Sequence, residues 1–103
     1  MHIDKDKIAS LLGFKRSDFD MLLVLFSQNA AASLEEMQKM INEKDMQGIA
    51  DASHAIAGSA GNLQLDDIYE LSMTIELAAK KGENADYHLY YQQLKTLLDS
   101  IEF

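Results

Sequence analysis

Proline is absent from all 103 residues. It is the residue that most sharply breaks helices and sets turns, and with only five glycines and few β-branched side chains the chain lacks the punctuation that hairpins and sheets need. Apolar residues instead recur at spacings of three and four, the period of a helix with one buried face. Four long helical segments and a short leader are predicted. The leader runs from Asp4 to Leu12, with Ile8, Leu11 and Leu12 on one side and Gly13 as a left-handed terminator. Ser17 is the expected N-cap of a second helix that carries Asp18 and Asp20 in its first turn and closes at Lys44. Its stripe is Phe19, Leu22, Leu23, Phe26, Ala30, Leu34, Met37, Met40 and Ile41.

Asp45 is the next N-cap, and Ile49, Ala52, Ile56, Ala60 and Leu63 form one face of the third helix. The fourth starts around Asp66 and Asp67, buries Ile68, Leu71, Ile75 and Ala78, and ends with Lys80, Lys81 and Gly82 at the negative end of its dipole. Asn84 or Asp86 opens the fifth, whose stripe is Tyr87, Tyr91, Leu94, Leu97, Leu98 and Ile101. Links of a few residues force successive helices to reverse direction. The expected fold is all-α: an antiparallel up-down-up-down four-helix bundle with the leader across one end, as one domain over residues 1–103.

Composition narrows the function classes. Without cysteine there is no disulfide framework, thiolate metal site or thiol nucleophile. Seventeen acidic against nine basic side chains leave a formal charge of -8, which repels a phosphate backbone, so nucleic acid is not an expected partner. No apolar run reaches the roughly 20 residues that cross a bilayer, and the start lacks the apolar centre of a secretory signal. A cytoplasmic, membrane-free protein is expected, and the opening at Met1 reads as a free protein, monomeric because the bundle can bury its own stripes. Six methionines at helical spacing read as core filler. A metal-dependent bundle enzyme needs two Glu-x-x-His pairs, and the nearest approach is a single Asp51-x-x-His54, so no bound metal or cofactor is expected. His2, near the terminus, and His88, among Tyr87, Tyr90 and Tyr91, have no surroundings that suggest chemistry.

His54 differs. At about 100° per residue it lies about 200° from Ile56 and about 140° from Ile49, which points it out of the core. Its helical neighbours are Ala50, Asp51, Ala57, Gly58 and Gly61. An exposed helix surface normally carries long polar side chains, and an interior glycine costs about 1 kcal/mol against alanine. Close approach of another backbone offsets such a cost, and two sources are open: a neighbouring helix of the same bundle, or a partner docking on the histidine. A second oddity is Met21-Leu-Leu-Val-Leu-Phe26, six apolar residues where one face can bury about half. Met21, Val24 and Leu25 fall off the stripe, to be covered by the leader or left as an apolar docking patch beside His54, with Ala31 and Ala32 extending it.

The stretch His54-Ala-Ile-Ala-Gly58-Ser59-Ala60-Gly61-Asn62-Leu63, followed by Ile68, Leu71, and Leu77 before Lys80, resembles the histidine-containing phosphotransfer domain of bacterial phosphorelays. The resemblance puts His54 on the phosphoacceptor position, Ile56 on a buried leucine, Gly58 on the glycine that clears space beside the ring, and Ser59 and Ala60 on the small pair. Two positions depart: Ala57 stands where the family usually has lysine, and Gln64 where glycine is common. A lysine one turn from the ring would sit near the phosphoryl oxygens and offset their charge. Lys39 or Lys44 reaching across, or neutral hydrogen bonds from Gln47, Asn62 and Gln64, are the candidates to replace it, so that the phosphate environment is expected among Gly58, Ser59, Ala57, Gln47, Asn62 and Gln64. Ala50, Asp51, Gly61, Met21, Val24 and Leu25 are the candidate docking residues.

The function implied by the resemblance is a phosphorelay intermediate that takes a phosphoryl group on His54 from a receiver-domain aspartate and passes it to another receiver. An imidazole in general, with a reference pKa of about 6.5, is mostly neutral at pH 7 and offers one lone pair to phosphorus. The implied partners are a response-regulator receiver domain, a hybrid histidine kinase, or both, with magnesium on the receiver. The alternative is an interaction module that docks a receiver or kinase without phosphotransfer, which the missing lysine would suit.

Overall fold

The computed structural model describes residues 2–103, and among these every regular element is a helix. In chain order they are α1 (Lys5–Leu12), α2 (Arg16–Asn42), α3 (Met46–Asn62), α4 (Asp66–Lys80) and α5 (Tyr87–Asp99). Helix α2, with 27 residues, spans about 40 Å at 1.5 Å per residue and accounts for the 42 Å long axis of the molecule. Helix α3 packs between α2 and α4, and α5 closes the ring by packing on α4 and α2. The leader α1 packs on α2, and Ile3, Asp4 and Ile8 lie against Gln64 to Asp67 at the α3–α4 turn, so it crosses that end of the bundle.

The apolar stripes meet on the bundle axis. Phe19, Leu23, Met37, Ile49, Ile56, Ile68, Ile75 and Leu94 are almost wholly buried, each contributing about 1.5–3 kcal/mol of transfer free energy. The termini follow local chemistry. The Asp4, Asp45 and Asp86 carboxylates accept from the backbone N–H groups of Lys7, Gly48 and Leu89, and Gly13 ends α1 in the left-handed region. Of the two N-caps open for α5, Asp86 is the one used.

Ser17 is not the cap of α2. The helix starts at Arg16, with Lys15 at the cap and no side-chain bond there. Arg16 reaches Asp6 of α1 at 2.8 Å and Asp20 at 2.9 Å, and this clasp holds the first turn in place of a serine cap. At the other end α2 stops at Asn42, and Lys44 and Gln64 make the reversals into α3 and α4 with positive φ of 57° and 56°. That conformation costs a non-glycine residue about 1 kcal/mol, so a glycine would sit at the Gln64 position with less strain.

Candidate functional site

Two faces of α3 are occupied by neighbours. One buries Ile49, Ser53, Ile56 and Ala60 in the core, and the other brings α4 close. Ala50 and Ala57 are buried there, so small side chains on this flank let α4 approach. This corrects two assignments: Ala50 is not a docking residue and Ala57 does not line a phosphate site, because both are covered within the molecule. Where Gly61 would carry a Cβ, the Tyr69 ring lies 3.4 Å away. Gly61 therefore also faces α4 rather than open surface.

The proximity of α4 decides the surroundings of the histidine. The His54 side chain is 71% exposed, and its Nδ1 lies 3.1 and 3.0 Å from the two carboxylate oxygens of Glu76, a side chain only 3% exposed. Lys80, one turn along α4, donates to the same Oε2 at 2.8 Å. Burial pushes the Glu76 carboxyl up, but the hydrogen bonds from Lys80 and then His54, together with their charges, outweigh it and hold the group below the ordinary value of 4.5. Glu76 is therefore an anion at neutral pH. A carboxylate can only accept, so Nδ1 carries the proton. In the neutral ring the lone pair then falls on Nε2.

On the outer surface of α3, Gly58 stands one turn after His54 with nothing within 4 Å of where its Cβ would be. Asp51, one turn before, is exposed and accepts from the Gln47 amide at 2.8 Å. That bond engages Gln47 with Asp51, not with the ring. Ser59 turns away from the imidazole and lines a crevice of about 80 Å³ with Ala55, Phe26, Asn29 and Ser33 on the α2 side. Asn62 is the last residue of α3, two turns beyond His54, and Gln64 lines the crevice under the leader. Ser59 and Asn62 by their places on α3, and Gln64 by its place in the turn after it, are thus removed from the expected phosphate environment. Neither Lys39 nor Lys44 pairs with His54 or Glu76; the lysine that pairs with Glu76 is Lys80 on α4.

Met21, Val24 and Leu25 are exposed, so the leader does not cover them. With Asp20 and Gln28 they form an open apolar patch on the side of α2 opposite its buried stripe. The His54 ring reaches toward Glu76 of α4, while Ala55 and Ser59 line the side of α3 that meets α2. The residues that sequence reasoning missed are Glu76, and Lys80 as its partner. A signal existed: Glu76 falls on the Ile68-Ser72-Ala79 face of α4, where a carboxylate is buried only when paired, and Lys80 follows at i+4.

The family model for the Hpt domain matches residues 21–102. The chain belongs to that family. Hpt domains are helical bundles that serve histidine phosphotransfer in phosphorelays and interact there with receiver domains and kinases. Comparisons with curated proteins and with solved structures gave no match. In this Hpt domain no described helix is long and apolar enough to cross a membrane, and no group of three or more His, Asp or Glu among the described residues could hold a metal ion.

Proposed function

We propose that this Hpt domain takes a phosphoryl group on Nε2 of His54 from the aspartyl phosphate of one receiver domain and gives it to the aspartate of another. The observation that carries the reading is the exposed ring fixed at Nδ1 by a buried carboxylate. The Nε2 lone pair forms the N–P bond while the acyl P–O bond breaks, and the receiver aspartate leaves as a carboxylate with that electron pair. The ring becomes cationic as it donates, and its Nδ1–H goes on donating to Glu76, whose negative charge offsets the developing imidazolium. Transfer onward reverses these bonds. The magnesium ion that assists transfer at the aspartate belongs to the receiver.

Position is the domain's own contribution. Glu76 sets the tautomer and the ring angle, and Gly58 leaves room above the helix for the phosphoryl group and the incoming receiver. The receiver docks over the outer surface of α3, and the Met21, Val24 and Leu25 patch on α2 offers an apolar anchor for a partner broad enough to reach both.

The test is incubation with phosphorylated receivers in magnesium. Acid-labile label on His54, absent in His54→Gln, is the expected result; no transfer from any receiver of the source organism rejects the reading. Receiver binding that persists without labelling, and is unchanged in His54→Gln, would support a docking module in its place.

A further inference from the structure

We infer that Lys80, acting from α4, sets the lifetime of the phosphohistidine formed at His54. The inference rests on His54 as the acceptor and adds the cation that α3 cannot provide. At the position three residues after the histidine stands Ala57, which is buried and carries no charge. Lys80 and His54 share one oxygen of Glu76, at 2.8 and 3.0 Å, which puts the ammonium no farther from the ring than two hydrogen bonds laid end to end. The Lys80 side chain is 56% exposed, so its head can turn from the carboxylate toward added phosphoryl oxygens without unpacking the core.

Arg16 is bound to Asp6 and Asp20, Lys95 is bound to Asp99, and among the described residues no other Lys or Arg pairs with His54 or Glu76. The remaining charge close to the ring on α3 is Asp51, which is negative. Decay of the phosphohistidine forms a P–O bond from water and breaks the Nε2–P bond, whose electron pair returns to the ring as inorganic phosphate leaves. An ammonium nearby holds the phosphoryl anion and disfavours the cationic ring from which that bond breaks most readily. Across this span in a largely aqueous medium, its Coulomb effect corresponds to about threefold to tenfold in rate.

Phosphoramidate, a small donor that needs no partner protein, phosphorylates the ring as Nε2 displaces ammonia from phosphorus, and the decay is followed by phosphorus NMR. The half-life is expected to fall about threefold to tenfold in Lys80→Met, to stay at the wild-type value in Lys81→Met, which loses the same charge, and to recover in Lys80→Arg. Lys80→Gln keeps a donor to Glu76 without the charge, and its short half-life with an unchanged helical spectrum separates electrostatics from loss of fold. An unaltered half-life in Lys80→Met and Lys80→Gln, equal shortening in Lys81→Met, or no phosphohistidine at His54 overturns the inference. Failure of the relay is read separately, from receivers that do not transfer to a domain phosphoramidate still labels.

Discussion

At the scale of single residues, the site is two side chains with opposite demands. For the proposed transfer His54 needs solvent and Glu76 needs burial to hold one fixed place, and the exposed ring does hang from a buried carboxylate. In Glu76→Gln the amide oxygen still accepts from Nδ1 but the charge is gone, and the gap between a charged and a neutral hydrogen bond, about 1.4 kcal/mol, predicts a transfer rate about tenfold lower in single-turnover assays. Glu76→Ala removes the acceptor too and falls further. The same carboxyl imposes a pH dependence on stability. Its folded-state pKa lies below the ordinary 4.5, so the stabilisation is fully present above that value and fades as pH falls through the lowered one. Urea unfolding between pH 6 and pH 3, each value chosen to span roughly the carboxylate range, should show a steeper loss for wild type than for Glu76→Gln. Equal slopes would remove the Lys80 and His54 bonds from the account.

At the scale of elements, α3 is a helix whose small residues serve two purposes on different flanks. Ala50, Ala57 and Gly61 admit α4, whereas Gly58 faces open space and is used by nothing inside the bundle. Gly58→Ala is therefore expected to stabilise the fold by about 0.5–1 kcal/mol in denaturant titrations. Gly58→Arg should fold and yet lose receiver transfer, since its side chain fills the space above the ring. Normal transfer by Gly58→Arg would show that the glycine clears nothing. Sequence periodicity could not divide these neighbours of His54, because all lie within one turn or two on the same side of α3, and only the line along which α4 crosses separates covered from free.

At the scale of the whole molecule, the five described helices around one core leave the His54 side chain of α3 and an apolar patch on α2 exposed, with a formal charge of -8 over the whole chain. Val24→Glu with Leu25→Glu should weaken receiver binding about tenfold in calorimetry while unfolding free energy stays within about 0.5 kcal/mol, because both side chains already face water. Binding at wild-type strength would exclude the patch from the docking surface. Most of the architecture could be read from local rules: helices and their order from apolar spacing, the α3 start from Asp45, the α5 start to within Asn84 or Asp86, and the outward bearing of His54 from its angle to Ile56. Those properties are set by residues a few positions apart, and the amino-acid order alone determines them. What the imidazole touches is set by Glu76, 22 residues on, and depends on how closely and in what register α4 lies against α3. That register is a property of the packed pair, and only the tertiary structure decided that the ring meets a buried carboxylate of α4 that a lysine of α4 also holds.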